Sequence, residues 1–184
     1  AIKCADPVWN IEVQKSENNG IIGVQLRDFS FITDDFIYKL AENINKYYPD
    51  KHIKILSLQN KLDMNVCEKL KSVLCNINSD LNAEVVENNS NDEVIKNISS
   101  MEALIAMRFH ACLVAIKAGV KLLPINYDIK VENLANDFNL TCINSVENIN
   151  NAFETFVNSR IEYNEEQINK QKFDFNLIYS VLNL

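Results

Sequence analysis

The stretch Ala103–Asn126, ALIAMRFHACLVAIKAGVKLLPIN, decides the fold. Ala103 to Met107 is a short, wholly apolar run, the mark of a strand buried on both faces. Phe109 to Ala118 has the length and composition of a buried helix, and Gly119 stands where a helix needs a left-handed cap. Lys121 to Asn126 is a second apolar run. Strand, helix and strand in this space form a βαβ unit, which calls for a parallel sheet and a right-handed crossover.

The same alternation extends in both directions. Upstream, Gly20 to Leu26 reads as a strand bounded by Gly. Thr33 to Tyr47 reads as a helix with Phe36, Leu40, Ile44 and Tyr47 on one face, Thr33 or Asp34 as cap, and Pro49 beyond its end. His52 to Leu58 is a strand, followed by a helix capped by Asp63 with Val66, Leu70, Val73 and Leu74 inward. Ala83 to Glu87 is a strand, and Asn91 or Asp92 caps a short helix through Ile98. The Asn-rich segment Asn88 to Asn91 is the expected mobile tip. Downstream, Val131 to Phe138 is a helix and Thr141 to Ile143 a short sixth strand. The spacing predicts one long helix from Val146 to about Lys172, then an apolar tail, FDFNLIYSVL. The expectation is a Rossmann-like α/β domain over residues 1–184, with a parallel sheet of about six strands flanked by helices.

Composition narrows the function. The 184 residues are 47% hydrophobic with only 3 Gly and 3 Pro, which excludes a turn-rich sandwich and a disordered chain. The net charge is −7 and no run of Lys or Arg exceeds two, so nucleic acid and anionic membrane are not expected partners. No apolar stretch reaches the ~20 residues of a membrane span. The five cysteines, Cys4, Cys67, Cys75, Cys112 and Cys142, form no CxxC and read as reduced, packed thiols of a cytosolic protein. The opening AIKCADPVW reads as a strand end leading into a turn, as if another domain preceded it.

Candidate chemistry sits at the strand ends. Open parallel sheets bind ligands beyond the carboxyl ends of their strands. Arg108 and His110 fall there, beside the N–H groups and positive dipole end of the following helix, a good place for a phosphate or carboxylate. Asp128 and Lys130 leave the neighbouring strand in a turn before a helix. Blander readings stand beside these: Arg108 paired with an acid, His110 a satisfied boundary residue, Asp128 a helix cap, Lys130 a solvated charge. Arg27, ending the first strand, is either another anion ligand or a salt-bridge partner. His52 carries no motif and reads as structural. Trp9 lines a cleft or packs in the core.

Taken together, MRFHACLVAIKAGVKLLPINYDIKV (107–131) resembles the signature of polysaccharide pyruvyl transferases. That signature runs strand, G-M-R-L-H-A, Ala-rich helix, A-G-V, strand and a Y-D-x-K turn. Ala5-Asp6-Pro7, the run Gly23 to Arg27, and Gln59 with Asp63 agree with it. Ala106 replaces the usual Gly and Phe109 the usual Leu, which bears on substrate detail more than on the reaction.

The resemblance implies a glycosyltransferase-B-like enzyme of two Rossmann-like halves, with this chain as the C-terminal half. Residues 146–184 would then pack toward the missing N-terminal domain. It implies transfer of pyruvate from phosphoenolpyruvate to a sugar of a cell-surface polysaccharide precursor, as a cyclic ketal. No cofactor or metal is expected. The acceptor is a saccharide, free or lipid-linked, and the location is the cytoplasm or the inner membrane face. Arg108, Lys130 and Arg27 would bind the donor, His110 would bind phosphate or act as general acid, and Asp128 would orient Lys130 or contact sugar. The alternatives are a nucleotide-sugar glycosyltransferase or epimerase domain, and a non-catalytic Rossmann-like binding domain.

Overall fold

The computed structural model describes residues 6–88 and 90–173. Five strands form one parallel sheet: β1 (Ile21–Gln25), β2 (His52–Ser57), β3 (Ala83–Glu87), β4 (Ala103–Ala106) and β5 (Lys121–Pro124). Between them run α1 (Asp34–Tyr47), α2 (Asn60–Ile77), α3 (Asn91–Ser99) and α4 (Phe109–Ala118). The chain continues through α5 (Ile129–Asp137), α6 (Ile149–Asn158) and α7 (Glu165–Lys170). The strand order is β3-β2-β1-β4-β5. The chain winds outward from β1 to β3, returns to β4 on the other side of β1, and winds outward again. The switch point of this doubly wound sheet therefore lies between β1 and β4, where Gln25 pairs with Ala106.

Helices cover both faces, which explains the continuous apolar strands. One face of the sheet packs Ile22, Val24, Ile53, Ile55 and Ile105 against Phe36, Leu40, Leu70 and Phe153 of α1, α2 and α6. The other packs Leu104, Ala106 and Leu122 against Ile98, Cys112, Ile116 and Leu134 of α3, α4 and α5. Trp9 is a core residue, stacked on Phe138 at 5.9 Å, rather than a cleft wall. Edge strand β3 is the exception to the apolar pattern: its Glu84 reaches His52 at 3.1 Å, giving that histidine a structural partner. Gly23 is where the sheet tolerates no side chain, since a Cβ there would meet Leu104 Cδ1 at 2.7 Å and also strike Met101.

Several local expectations are corrected. The sixth strand reduces to one parallel bridge, Ile125 to Ile143. Asn139 turns the chain at φ 52°, and Ser145 with Asn148 opens a capping box soon after, leaving no room for a ladder. The long helix from Val146 is instead a short 3-10 turn, α6 and α7. The Ser159 hydroxyl donates to the Phe156 carbonyl at the end of α6, and the Tyr163 hydroxyl donates to the Val120 carbonyl at 3.0 Å. Packing Tyr163 against the core, edge-on to Phe138, outweighs the helical propensity of its neighbours. The tail beyond Phe173 lies outside the described residues, as do Ala1 to Ala5.

Helix α3 is capped by Ser90, whose hydroxyl accepts the Glu93 N–H, and not by Asn91 or Asp92. Asn88, expected in a mobile tip, is buried, and its side chain bonds Ser57, Val86 and Asn97. Helix α2 starts a turn before Asp63, which frees that carboxylate to turn inward. Gly119 caps α4 at φ 73°, as expected.

Candidate functional site

Arg108 leaves β4 at the switch point and is held from two segments, the end of β1 and the start of α2. Its backbone N–H donates to Gln25 Oε1 at 2.7 Å. Gln25 is itself wholly buried and anchored, donating from Nε2 to the Leu26 carbonyl at 2.7 Å. The guanidinium of Arg108 meets Asp63 with Nη2 to Oδ1 at 2.7 Å and Nε to Oδ2 at 3.1 Å. Nη2 also donates to Gln59 Oε1 at 2.8 Å. The Arg108 side chain is 17% exposed and that of Asp63 is 0%. Arg108 is thus paired with an acid, and a buried one. In the sequence, Gln25 and Asp63 stand out only as parts of the signature-like runs Gly23–Arg27 and Gln59 with Asp63, Asp63 also as a helix cap, and nothing there pairs either with Arg108.

His110 stands in the first turn of α4, which no side chain caps. Its Nε2 lies 3.2 Å from Asp6 Oδ2. Asp6 caps the 3-10 turn Pro7–Asn10 by accepting the Val8 N–H at 3.0 Å. Burial works against its ionisation, but the Val8 N–H, His110 and Lys130 outweigh this and hold its carboxyl below the ordinary value.

Lys130 follows the same turn as Tyr127 and Asp128. Asp128 is the N-cap of α5, accepting the N–H groups of Lys130 and Val131 at 2.9 and 3.1 Å. The cap fixes the turn that carries Lys130. Burial, then Asp128, pushes the Tyr127 hydroxyl up, while Arg27 pulls it back in part.

Arg108, His110, Asp128 and Lys130 line one cleft of about 550 Å³ with Tyr127 and Gln59. Leu58, Val94, Ile95 and Phe109 form its apolar flank. Phe109, the departure at the motif, is therefore a wall residue. Arg27 is not on this wall. Its guanidinium lies over the rings of Phe29 and Tyr127, at 5.9 and 5.8 Å, and so stands behind Tyr127. A larger recess of about 700 Å³, between residues 10–15 and 161–172, lies at the opposite end of α4 and holds none of these groups.

Fold and cleft together define a doubly wound α/β domain with its polar side chains gathered at the switch point. The chain belongs to the polysaccharide pyruvyl transferase family, whose model matches residues 1–129. That span takes in Arg27, Arg108, His110 and Asp128 and ends one residue before Lys130. No curated protein matches the chain. Among solved structures it is similar to the accessory secretory protein 1, 2 and 3 structure of Streptococcus pneumoniae, at 16% identity and TM-score 0.50, covering 97% of this chain and 32% of that one. It is also similar to the UDP-GlcNAc 2-epimerase of Neisseria meningitidis solved with UDP-GlcNAc, at 13% identity and TM-score 0.57, covering 91% and 45%. These likenesses show the α/β fold, and the chain spans less than half of either relative. No helix among the described residues is long and apolar enough to cross a membrane.

Proposed function

We propose that this chain carries the donor-binding wall of a pyruvyl transferase that moves pyruvate from phosphoenolpyruvate onto a sugar of a cell-surface polysaccharide precursor. The observation that carries this is the convergence of Arg108, His110 and Lys130 on one cleft beside the uncapped start of α4. Phosphoenolpyruvate presents a phosphate and a carboxylate. Guanidinium, ammonium and helix N–H groups suit both.

In the reaction two hydroxyls of one sugar attack the enol carbon in turn, and the bond from that carbon to the phosphate oxygen breaks. One hydroxyl proton ends on the methylene, making a methyl group, and the other ends on the released phosphate. His110, 62% exposed and facing the cleft, is the group placed to deliver the first of these protons or to hold the phosphate. Arg108 and Lys130 bind the donor anions. Asp128 holds the turn of Lys130, and Arg27 steadies Tyr127 from behind.

The acids paired with these cations matter as well. Arg108 faces Asp63 and His110 faces Asp6. A ligand with nearly three negative charges needs more positive charge than such paired groups supply. We therefore place the rest of the cleft, and most of the acceptor contacts, on a second domain. The same reading makes the acceptor a saccharide, free or lipid-linked, handled at the cytoplasmic side.

Calorimetry tests the proposal directly. Phosphoenolpyruvate should bind this chain, and Arg108→Ala with Lys130→Ala should abolish the heat. Phosphate release should follow when the full-length protein meets lipid-linked saccharides. Tight binding of UDP-GlcNAc with no response to phosphoenolpyruvate would replace this reading with that of a nucleotide-sugar domain.

A further inference from the structure

We propose that Asp63 is a positioning residue for Arg108: it selects which edge of the guanidinium meets the ligand. The proposal rests on the reading of Arg108 as a donor ligand and adds the residue through which that ligand is aimed.

A guanidinium has five N–H donors in a rigid fork. In Arg108 the Nε and Nη2 edge is spent. Asp63 takes bonds from both nitrogens, with Oδ2 also 2.9 Å from Nη2, and Gln59 takes another. Nη1 makes no hydrogen bond among the described residues, so its two N–H groups are the ones left for a ligand. Arg108 should therefore present one nitrogen to the donor rather than a bidentate fork.

Asp63 is suited to the task. It lies in the first turn of α2, where the helix dipole favours a carboxylate. Its Oδ2 accepts the Gln59 N–H at 3.1 Å, so the carboxylate cannot rotate with the arginine. It is wholly buried, so no water competes for either oxygen. Gln25 fixes the Arg108 backbone from the opposite side. The start of α2 thus fixes the Arg108 side chain, and the end of β1 fixes its backbone, before any ligand arrives, which is preorganisation in the ordinary sense.

Charge and position make opposite predictions here. Asp63→Asn removes a negative charge from an anion site. If Asp63 only tempers charge, phosphoenolpyruvate will bind more tightly. If it positions Arg108, binding should weaken by about 10- to 100-fold, the scale of a misplaced contact. The effect should vanish in an Arg108→Ala background, because the two changes act through one group. A merely structural carboxylate would lower the melting temperature and leave the affinity alone.

The experiment is calorimetry with phosphoenolpyruvate on the chain and its variants, with ¹⁵N NMR of the Arg108 Nε–H group. Weaker binding that depends on Arg108 supports the proposal, and unchanged or tighter binding by a folded variant overturns it. Should Asp63→Asn fail to fold, Gln59→Ala decides, since Gln59 is exposed and gives up one bond: Arg108-dependent weakening supports, no change overturns. Should the wild type not bind phosphoenolpyruvate at all, the proposed function fails. The NMR signal then still judges Asp63: slow exchange of Nε–H that is lost in the variant supports its role, and fast exchange in the wild type overturns it.

Discussion

Oδ2 of Asp6 lies 3.2 Å from Nε2 of His110, although 104 residues separate them. The same carboxylate is pinned by the Val8 N–H and sits in the field of Lys130. A turn from the start of the described chain therefore borders the cleft, which Val8 and Ile11 also line.

That contact sets an acid dependence. The folded carboxyl of Asp6 is held below its ordinary value of 3.8, against the opposing effect of burial. A depressed carboxyl contributes stability that is present above the ordinary value and disappears as pH falls through the folded value. Asp6→Asn should therefore melt at a lower temperature than wild type at neutral pH, and the gap should close below about pH 3.8. Thermal melts from pH 7 to 3 measure this, and a gap that stays constant would show that Asp6 is not ion-paired.

Arg108 and His110 should separate in kinetics. Arg108→Ala in the full-length protein should mainly weaken donor binding. A charge-assisted contact in a closed site is worth about 1.5–3 kcal/mol, or ~10–150-fold. His110→Ala should instead lower turnover at saturating donor by ~10²-fold or more if the histidine transfers a proton. His110→Gln should keep much of the rate if it only donates a hydrogen bond. Full activity of His110→Ala would remove both roles.

Gly23 should resist substitution. A methyl group there runs into Met101 and Leu104 in the sheet interior. Gly23→Ala should destabilise the fold by about 1–3 kcal/mol, the usual range for overpacking. Urea denaturation checks it; a midpoint equal to wild type would mean that Met101 moves aside freely.

Thiol reactivity should follow burial. Burial pushes the Cys67 thiol up to about 12 and the half-buried Cys142 up to about 11, and the wholly enclosed Cys112 is raised further. Cys75 is exposed. In a Cys4→Ser background, a disulfide reagent at pH 8 should label Cys75 at once and Cys142 slowly. Cys67 and Cys112 should react only on unfolding. Rapid native labelling of two or more thiols would contradict this packing.

The class of fold was legible in the residues because βαβ units leave local marks. Apolar runs such as ALIA, a helix with Gly119 at its end and a second run after it need no distant contact to be read. The α4 limits, Phe109–Ala118, follow from those marks alone. So does the placing of Arg108 and His110 at a strand end. What tertiary structure alone decided lies in contacts between distant segments. The break between α6 and α7 depends on Tyr163 finding the Val120 carbonyl, a choice invisible to helical spacing. In the first turn of α2 the exposed Leu62 faces outward, while Asp63 turns inward to meet Arg108, so Asp63 reads as a cap in sequence and is a buried counterion in space. Arg27 ends behind Tyr127 because the chain after β1 turns its aromatic residues beneath the guanidinium. Periodicity reports which side chains leave water, since that is a property of neighbours along the chain. Pairing of polar groups is a property of neighbours in space, and for Asp6, Asp63, Gln25, Arg108 and His110 only the folded sheet supplies it.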